Sequence, residues 1–194
     1  MPQRPERRVR RVSVLGSSKV READPAYQEA LKLGEALAQE GFTVFHGGFR
    51  GVMEAVAKGS RLAGGHNVGV TIQKTSVSRP GLRSGGNKIK KRTSVVVNPW
   101  TDAEIAMPSW HERLFKLIER GNAYIFLDGA TGTLTELFVV LEMTNRGLLK
   151  KPIIVLGNKL GTLLHMLNKD PHFDLPPQLV FVTSVAQAIQ RLKI

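Results

Sequence analysis

The sequence predicts an α/β fold, a three-layer sandwich with a mainly parallel sheet and helices on both faces. Three observations carry this. Short apolar, β-branched runs alternate with segments whose apolar residues recur at helical spacing. Glycine-rich turns follow the strand-like runs. The strand-then-helix order repeats along the chain, and parallel neighbours need such crossovers.

Taken in order, Val12, Val14 and Leu15 form a strand that stops at Gly16-Ser17-Ser18. Asp24 and Pro25 read as an N-cap with proline in the first turn, and Tyr27, Leu31, Gly34, Leu37 and Ala38 trace one helical face until Gly41. Phe42 to Phe45 is a second strand, ended by Gly47-Gly48. Val52, Met53, Val56, Ala57 and Leu62 restore helical spacing, closed by Gly64-Gly65, and Asn67 to Ile72 is a third strand. The Ser/Gly/Pro-rich segment 73–92 is long for a connection, as lids and binding loops are. Strands are then expected at Ser94 to Val97, Ala123 to Leu127, Pro152 to Leu156 and Leu179 to Val182. Helices are expected at about Pro108 to Arg120, Thr133 to Arg146 with Gly147 as cap, Leu160 to Leu167, and Val185 to Leu192.

At 194 residues the chain is sized for one domain, expected over 11–194 and preceded by a basic arm over 1–10. With no cysteine, disulfides, thiolate metal sites and cysteine nucleophiles are excluded. The five histidines show no ligand spacing, so no metal is expected. No apolar run approaches the ~20 residues of a membrane span, and VSVLG is too short for a signal core. A cytoplasmic protein with no membrane contact is expected.

The net charge of +12 is unevenly placed. From Ala55 to Thr101 there is no acidic residue, while Lys58, Arg61, Lys74, Arg79, Arg83, Lys88, Lys90, Lys91 and Arg92 fall there. Such a stretch is either a solvated face or an approach for an anion. Nucleic acid bound through segment 73–92 is the less favoured reading, because no aromatic RNP or finger pattern interleaves with the basic residues.

Three turns carry the functional signal: Gly16-Ser17-Ser18, Gly47-Gly48 with Gly51, and Gly129 with Gly132-Thr133. In parallel sheets ligands bind beyond the carboxyl ends of strands, and helix N-termini there attract anions. Together they predict a phosphate site. Neither a Walker A sequence nor a GxGxxG is present.

The stretch WHERLFKLIERGNAYIFLDGATGTLTEL, Trp110 to Leu137, resembles the Lonely Guy (LOG) family of Rossmann-like nucleotide-binding proteins. The family hallmark PGGxGTxxE reads DGATGTLTE here, Asp128 to Glu136, and the arginine that precedes it by about one helix falls on Arg113. VLGSS and HGGFRGVME look like the family's first and second turns. The resemblance implies hydrolysis of the N-glycosidic bond of an AMP-like nucleoside 5′-monophosphate, with Glu136 and Arg113 as catalytic residues. It further implies phosphate and nucleotide binding by Gly16, Ser17, Ser18, Gly47, Gly48, Gly51, Asp128, Gly129, Thr131, Gly132 and Thr133. No cofactor is implied; a homodimer is.

Local sequence leaves a plainer reading beside this one, since Thr133 and Glu136 also fit a T-x-x-E capping box. Asp128 stands for the hallmark proline and Ala130 for its second glycine, while His46 and Glu54 stand for glycines of the second turn. The Asp128 carboxylate would either repel phosphate, turn the chain by accepting a nearby N–H, or hold a ribose hydroxyl. The related molybdenum-cofactor-carrier-like proteins share the layout, so the alternative is a non-catalytic nucleotide or molybdenum-cofactor binding protein. The lysine decarboxylase label borne by some of this group has little support, because no motif supplies pyridoxal chemistry.

Overall fold

The structure, a computed structural model, describes residues 10–73 and 97–193. In chain order the elements are β1 (Arg11–Leu15), α1 (Pro25–Gln39), β2 (Thr43–His46), α2 (Val52–Leu62), β3 (His66–Ile72), β4 (Ala103–Met107), α3 (Trp110–Arg120), β5 (Ala123–Leu127), α4 (Thr131–Asn145), β6 (Ile153–Leu156), α5 (Asn158–Leu167), β7 (Leu179–Val182) and α6 (Val185–Leu192). The strands form one seven-stranded sheet in the order β4-β3-β2-β1-β5-β6-β7. Every paired neighbour is parallel, so the expected α/β architecture stands.

Period-two alternation sorts each strand between two cores. Val12 and Val14 of β1, with Ile125 and Leu127 of β5, pack under α1, α2 and α6, where Tyr27, Leu33, Val52 and Ile189 are buried. Leu15, Tyr124 and Phe126 face the other way, onto Leu114 and Ile118 of α3, Leu137 and Leu141 of α4, and Leu160 and Leu164 of α5. The carbonyls at the end of α3 are satisfied from the sheet side. Ser13 Oγ donates to Leu117 O at 2.6 Å, and Tyr124 Oη donates to Ile118 O at 2.6 Å. Lys151 Nζ donates to Ile118 O and Glu119 O. These bonds fix the register of α3 on the sheet, and with it the position of Arg113.

The order also locates the crevice. The chain builds outward from β1 to β4 on one side and resumes at β5 on the other. The switch between β1 and β5 leaves an opening at their carboxyl ends, where ligands bind in open parallel sheets.

Several expectations are corrected. Of the strand expected at Ser94 to Val97, residues 94–96 lie outside the described residues, and Val97 is in no strand. The strand found near there is β4, which sequence analysis did not anticipate. AEIAM is an edge strand with three of its five residues exposed, so little apolar alternation marks it. Helix α4 begins at Thr131 with Ala130 as N-cap, two residues before the expected start. Thr133 therefore lies inside the first turn and is not the cap. Asp24 is the N-cap of α1 by backbone geometry, but its side chain instead accepts from Arg21 N at 2.7 Å. Residues 1–9 of the expected arm, and all of segment 73–92 but Gln73, lie outside the described residues.

Candidate active site

A cleft of about 160 Å³ opens at the switch point. It is lined from the first turn by Gly16, Ser17, Ser18 and Lys19, and from the second by Gly47 and Phe49. Trp110 and Arg113 of α3 and Gly132, Thr133 and Glu136 of α4 also line it. The structure thus brings together residues that lie as much as 120 positions apart (136 − 16).

Helix α4 brings its N-terminal end to the cleft. No side chain caps it, because its N-cap is Ala130. The first N–H groups of a helix have no intrahelical partner, and the helix dipole adds positive potential there. Gly132 and Thr133 present this end to the cleft, facing the Ser17 and Ser18 turn. Lys19 adds a cation at the rim.

Glu136 lies one turn deeper. Its carboxylate meets the Arg113 guanidinium from α3, with Nη1 to Oε1 at 3.6 Å and only 6% and 13% of the two side chains exposed. Burial pushes the Glu136 carboxyl up to about 7, a rise that the neighbouring Arg113 charge partly counters. Burial also lowers the Arg113 value, with Glu136 opposing. A carboxyl poised near neutrality accepts and releases a proton with equal ease, as an acid–base group must.

Arg113 is held on every side. Nε donates to Val70 O at 2.8 Å and Nη2 donates to Gly47 O at 3.1 Å. The guanidinium carbon lies 4.8 Å from the centre of the Phe49 ring. The second turn is glycine because of this packing: a Cβ on Gly47 would stand 1.9 Å from Arg113 Nη2. Gly51, with φ of +70°, brings its backbone against Ser17 O, where a Cβ would be 2.3 Å away. Val52 N donates to the same oxygen at 2.8 Å, so the first and second turns are fastened together.

The residues that depart from the LOG pattern have structural duties. His46 is fully buried. Its Nδ1 accepts from Gly48 N at 3.0 Å, which leaves Nε2–H to donate to Asn67 Oδ1 at 3.0 Å. Burial lowers its value to about 4, so the ring is neutral. Asp128 does not line the cleft. Its carboxylate accepts from Lys159 N at 3.2 Å and Leu160 N at 2.9 Å, capping α5, while its carbonyl accepts from Ser17 N at 3.1 Å. One role open to Asp128 in the sequence is to turn its own segment by accepting a nearby N–H, whereas the N–H groups that it accepts belong to the start of α5.

Of the other anticipated residues, Gly48, Gly51, Gly129 and Thr131 support the cleft from outside its lining. Gly48 O accepts from Asn98 N, and Thr131 O accepts from Thr135 Oγ1. Lys19, Phe49, Met53 and Trp110 line the cleft and were missed. Lys19 was the most findable, as a basic residue directly after Gly16-Ser17-Ser18. Among the described residues, no group of three or more His, Asp or Glu side chains could hold a metal.

The model of the SLOG cluster4 family matches residues 9–189. The chain belongs to this LOG-like family. A protein of Archaeoglobus fulgidus is 28% identical over 147 residues, covering 75% of this chain and 83% of its own. The cytokinin riboside 5′-monophosphate phosphoribohydrolase LOG of Oryza sativa is 33% identical over 153 residues, covering 77% of this chain and 56% of that protein. The SLOG chain thus spans little more than half of its plant relative. Its fold matches the molybdenum cofactor binding protein of Rippkaea orientalis with a TM-score of 0.71 at 22% identity, over 96% of this chain and 97% of the other. Among the described residues of the SLOG protein, no helix is long and apolar enough to cross a membrane.

Proposed function

We propose that the chain is a phosphoribohydrolase that cleaves the N-glycosidic bond of a nucleoside 5′-monophosphate, releasing the free base and ribose 5-phosphate. The observation that carries this reading is Glu136, buried, poised near neutrality and tied to Arg113, one turn inside the uncapped end of α4.

The 5′-phosphate would accept from the N–H groups of Gly132 and Thr133 and from the hydroxyls of Ser17 and Ser18, with Lys19 adding charge. This seats the ribose against Glu136. The C1′–N bond breaks with its electron pair passing to the base, and positive charge develops at C1′, where a carboxylate stabilises it. A water oxygen bonds to C1′, its proton passes to Glu136, and that proton then goes to the departing base nitrogen. Arg113, bonded to two backbone carbonyls and paired with Glu136, is a positioning residue in this reading: it aims the carboxylate. Trp110, 49% exposed at the rim, offers an indole face to the base.

The alternative, a non-catalytic carrier of a phosphorylated ligand such as molybdenum cofactor, draws support from the fold match and from Ala130, whose methyl group stands where the hallmark has glycine. One experiment separates the two. Purified protein and Glu136→Gln are incubated with AMP and other nucleoside monophosphates, and free base is measured by chromatography. Release that the variant loses supports the hydrolase. No release, with nucleotide still raising the melting temperature, supports the carrier. Assembly as a homodimer, implied by family resemblance, is tested by light scattering on the same sample.

A further inference from the structure

Among the described residues a second concavity runs between α5 and the edge strand β7, with a volume of about 550 Å³. That is within the size range of small-molecule sites. Its lining is chemically selective. The His165 and Phe181 rings meet at 4.3 Å between centroids, tilted by 47°. Met166 and Phe181 are 60% and 37% exposed, an unusual outlay of apolar surface beside a pocket. His165 Nδ1 donates to Gly161 O at 2.7 Å, which leaves Nε2 as an acceptor. Asn158, Thr162 and Thr183 add polar groups along the walls. Lys169 stands at the far end of α5, and no carboxylate lines the groove.

Gly161 is the independent sign that this space is kept open. It lies inside α5, where glycine is among the least favourable residues. The other mid-helix glycines are required by packing: a Cβ would stand 2.2 Å from Val56 O at Gly34 and 2.0 Å from Leu31 O at Gly59. At Gly161 it would meet nothing closer than Phe181 Cδ1, at 3.7 Å. Packing does not explain this glycine, but a groove floor that must stay low does.

We infer that the α5–β7 groove is a second small-molecule site, built for a planar aromatic compound that carries an anionic group. The ring lies on Phe181 and Met166 above Gly161, an N–H or O–H of the ligand donates to His165 Nε2, and the anion reaches Lys169. This site is independent of the reading of the cleft.

The test is a fluorescence titration of the full chain with 8-anilinonaphthalene-1-sulfonate, an aromatic anion, at low salt. Wild type is expected to bind one probe per chain saturably. Phe181→Ala and Gly161→Leu are each expected to weaken binding at least tenfold, and Lys169→Gln severalfold. Thermal melts of each variant show that the fold is intact, and the exposed Phe181 keeps the test valid if Gly161→Leu fails to fold. Affinity within twofold of wild type in Phe181→Ala, or the absence of saturable binding to wild type, would overturn the inference.

Discussion

Glu136 and Arg113 reach each other from different helices, Oε1 of one 3.6 Å from Nη1 of the other, with little of either side chain exposed. Burial, only partly countered by Arg113, makes the protonation state of Glu136 a contributor to stability. Its folded value of about 7 lies above the ordinary 4.5, so the unfolded chain ionises first as pH rises. Stability is therefore full below about pH 4.5 and falls by about 3 kcal/mol as pH climbs to about 7. Urea unfolding at pH 4.5 and 8 should show this decline as a change in the stability difference between wild type and Glu136→Gln, since the variant keeps the opposing contribution of His46. If the ionised carboxylate performs the chemistry, kcat/KM for nucleotide hydrolysis rises through pH 7, and the variant has no such step.

His46 has the opposite sign. Its folded value of about 4 lies below the ordinary 6.5, so the unfolded chain takes up a proton first as pH falls. Stability is full above about pH 6.5 and drops by about 3 kcal/mol on the way to about pH 4. His46→Gln is expected to be less stable at pH 7.5, through loss of the Gly48 and Asn67 bonds, and this deficit against wild type should shrink as pH falls from 6.5 to 4. Melting temperatures across that range are the measurement.

Removing Arg113 leaves Glu136 buried without its partner, and the carbonyls of Val70 and Gly47 without a donor. Arg113→Ala is expected to destabilise by about 3 kcal/mol or more, as breaking buried pairs does. Gly47→Ala attacks the same arrangement from the other side, since its Cβ would occupy the guanidinium's place. Both variants should lower the denaturation midpoint and base release together. A Gly47→Ala protein with unchanged midpoint would show that the second turn yields without disturbing Arg113.

Asp128→Ala removes the acceptor for the first N–H groups of α5. A loss of about 1 kcal/mol is expected, the usual worth of a helix cap. Hydrogen exchange should locate the added opening at Lys159 and Leu160, whose N–H groups Asp128 holds.

What the sequence by itself determined was the architecture and part of the cleft's lining. Helical spacing and β-branched runs are local properties, so twelve of the thirteen elements among the described residues were legible, and of the thirteen only β4 was not. The exception has a physical cause: an edge strand buries little, so selection for apolar alternation there is weak. Three glycine turns after strands placed Gly16, Gly47 and Gly132 at one sheet edge, because a parallel sheet aligns the carboxyl ends of its strands. Tertiary structure alone decided how the side chains are used. That Glu136 pairs with Arg113 instead of capping a helix depends on α4 starting at Thr131 and on the register of α3, set by Ser13, Tyr124 and Lys151. That Asp128 turns from the cleft depends on α5, whose first N–H groups lie about thirty residues further along the chain. A side chain's protonation and aim follow from what surrounds it in space, and neighbours so distant in sequence leave no local pattern.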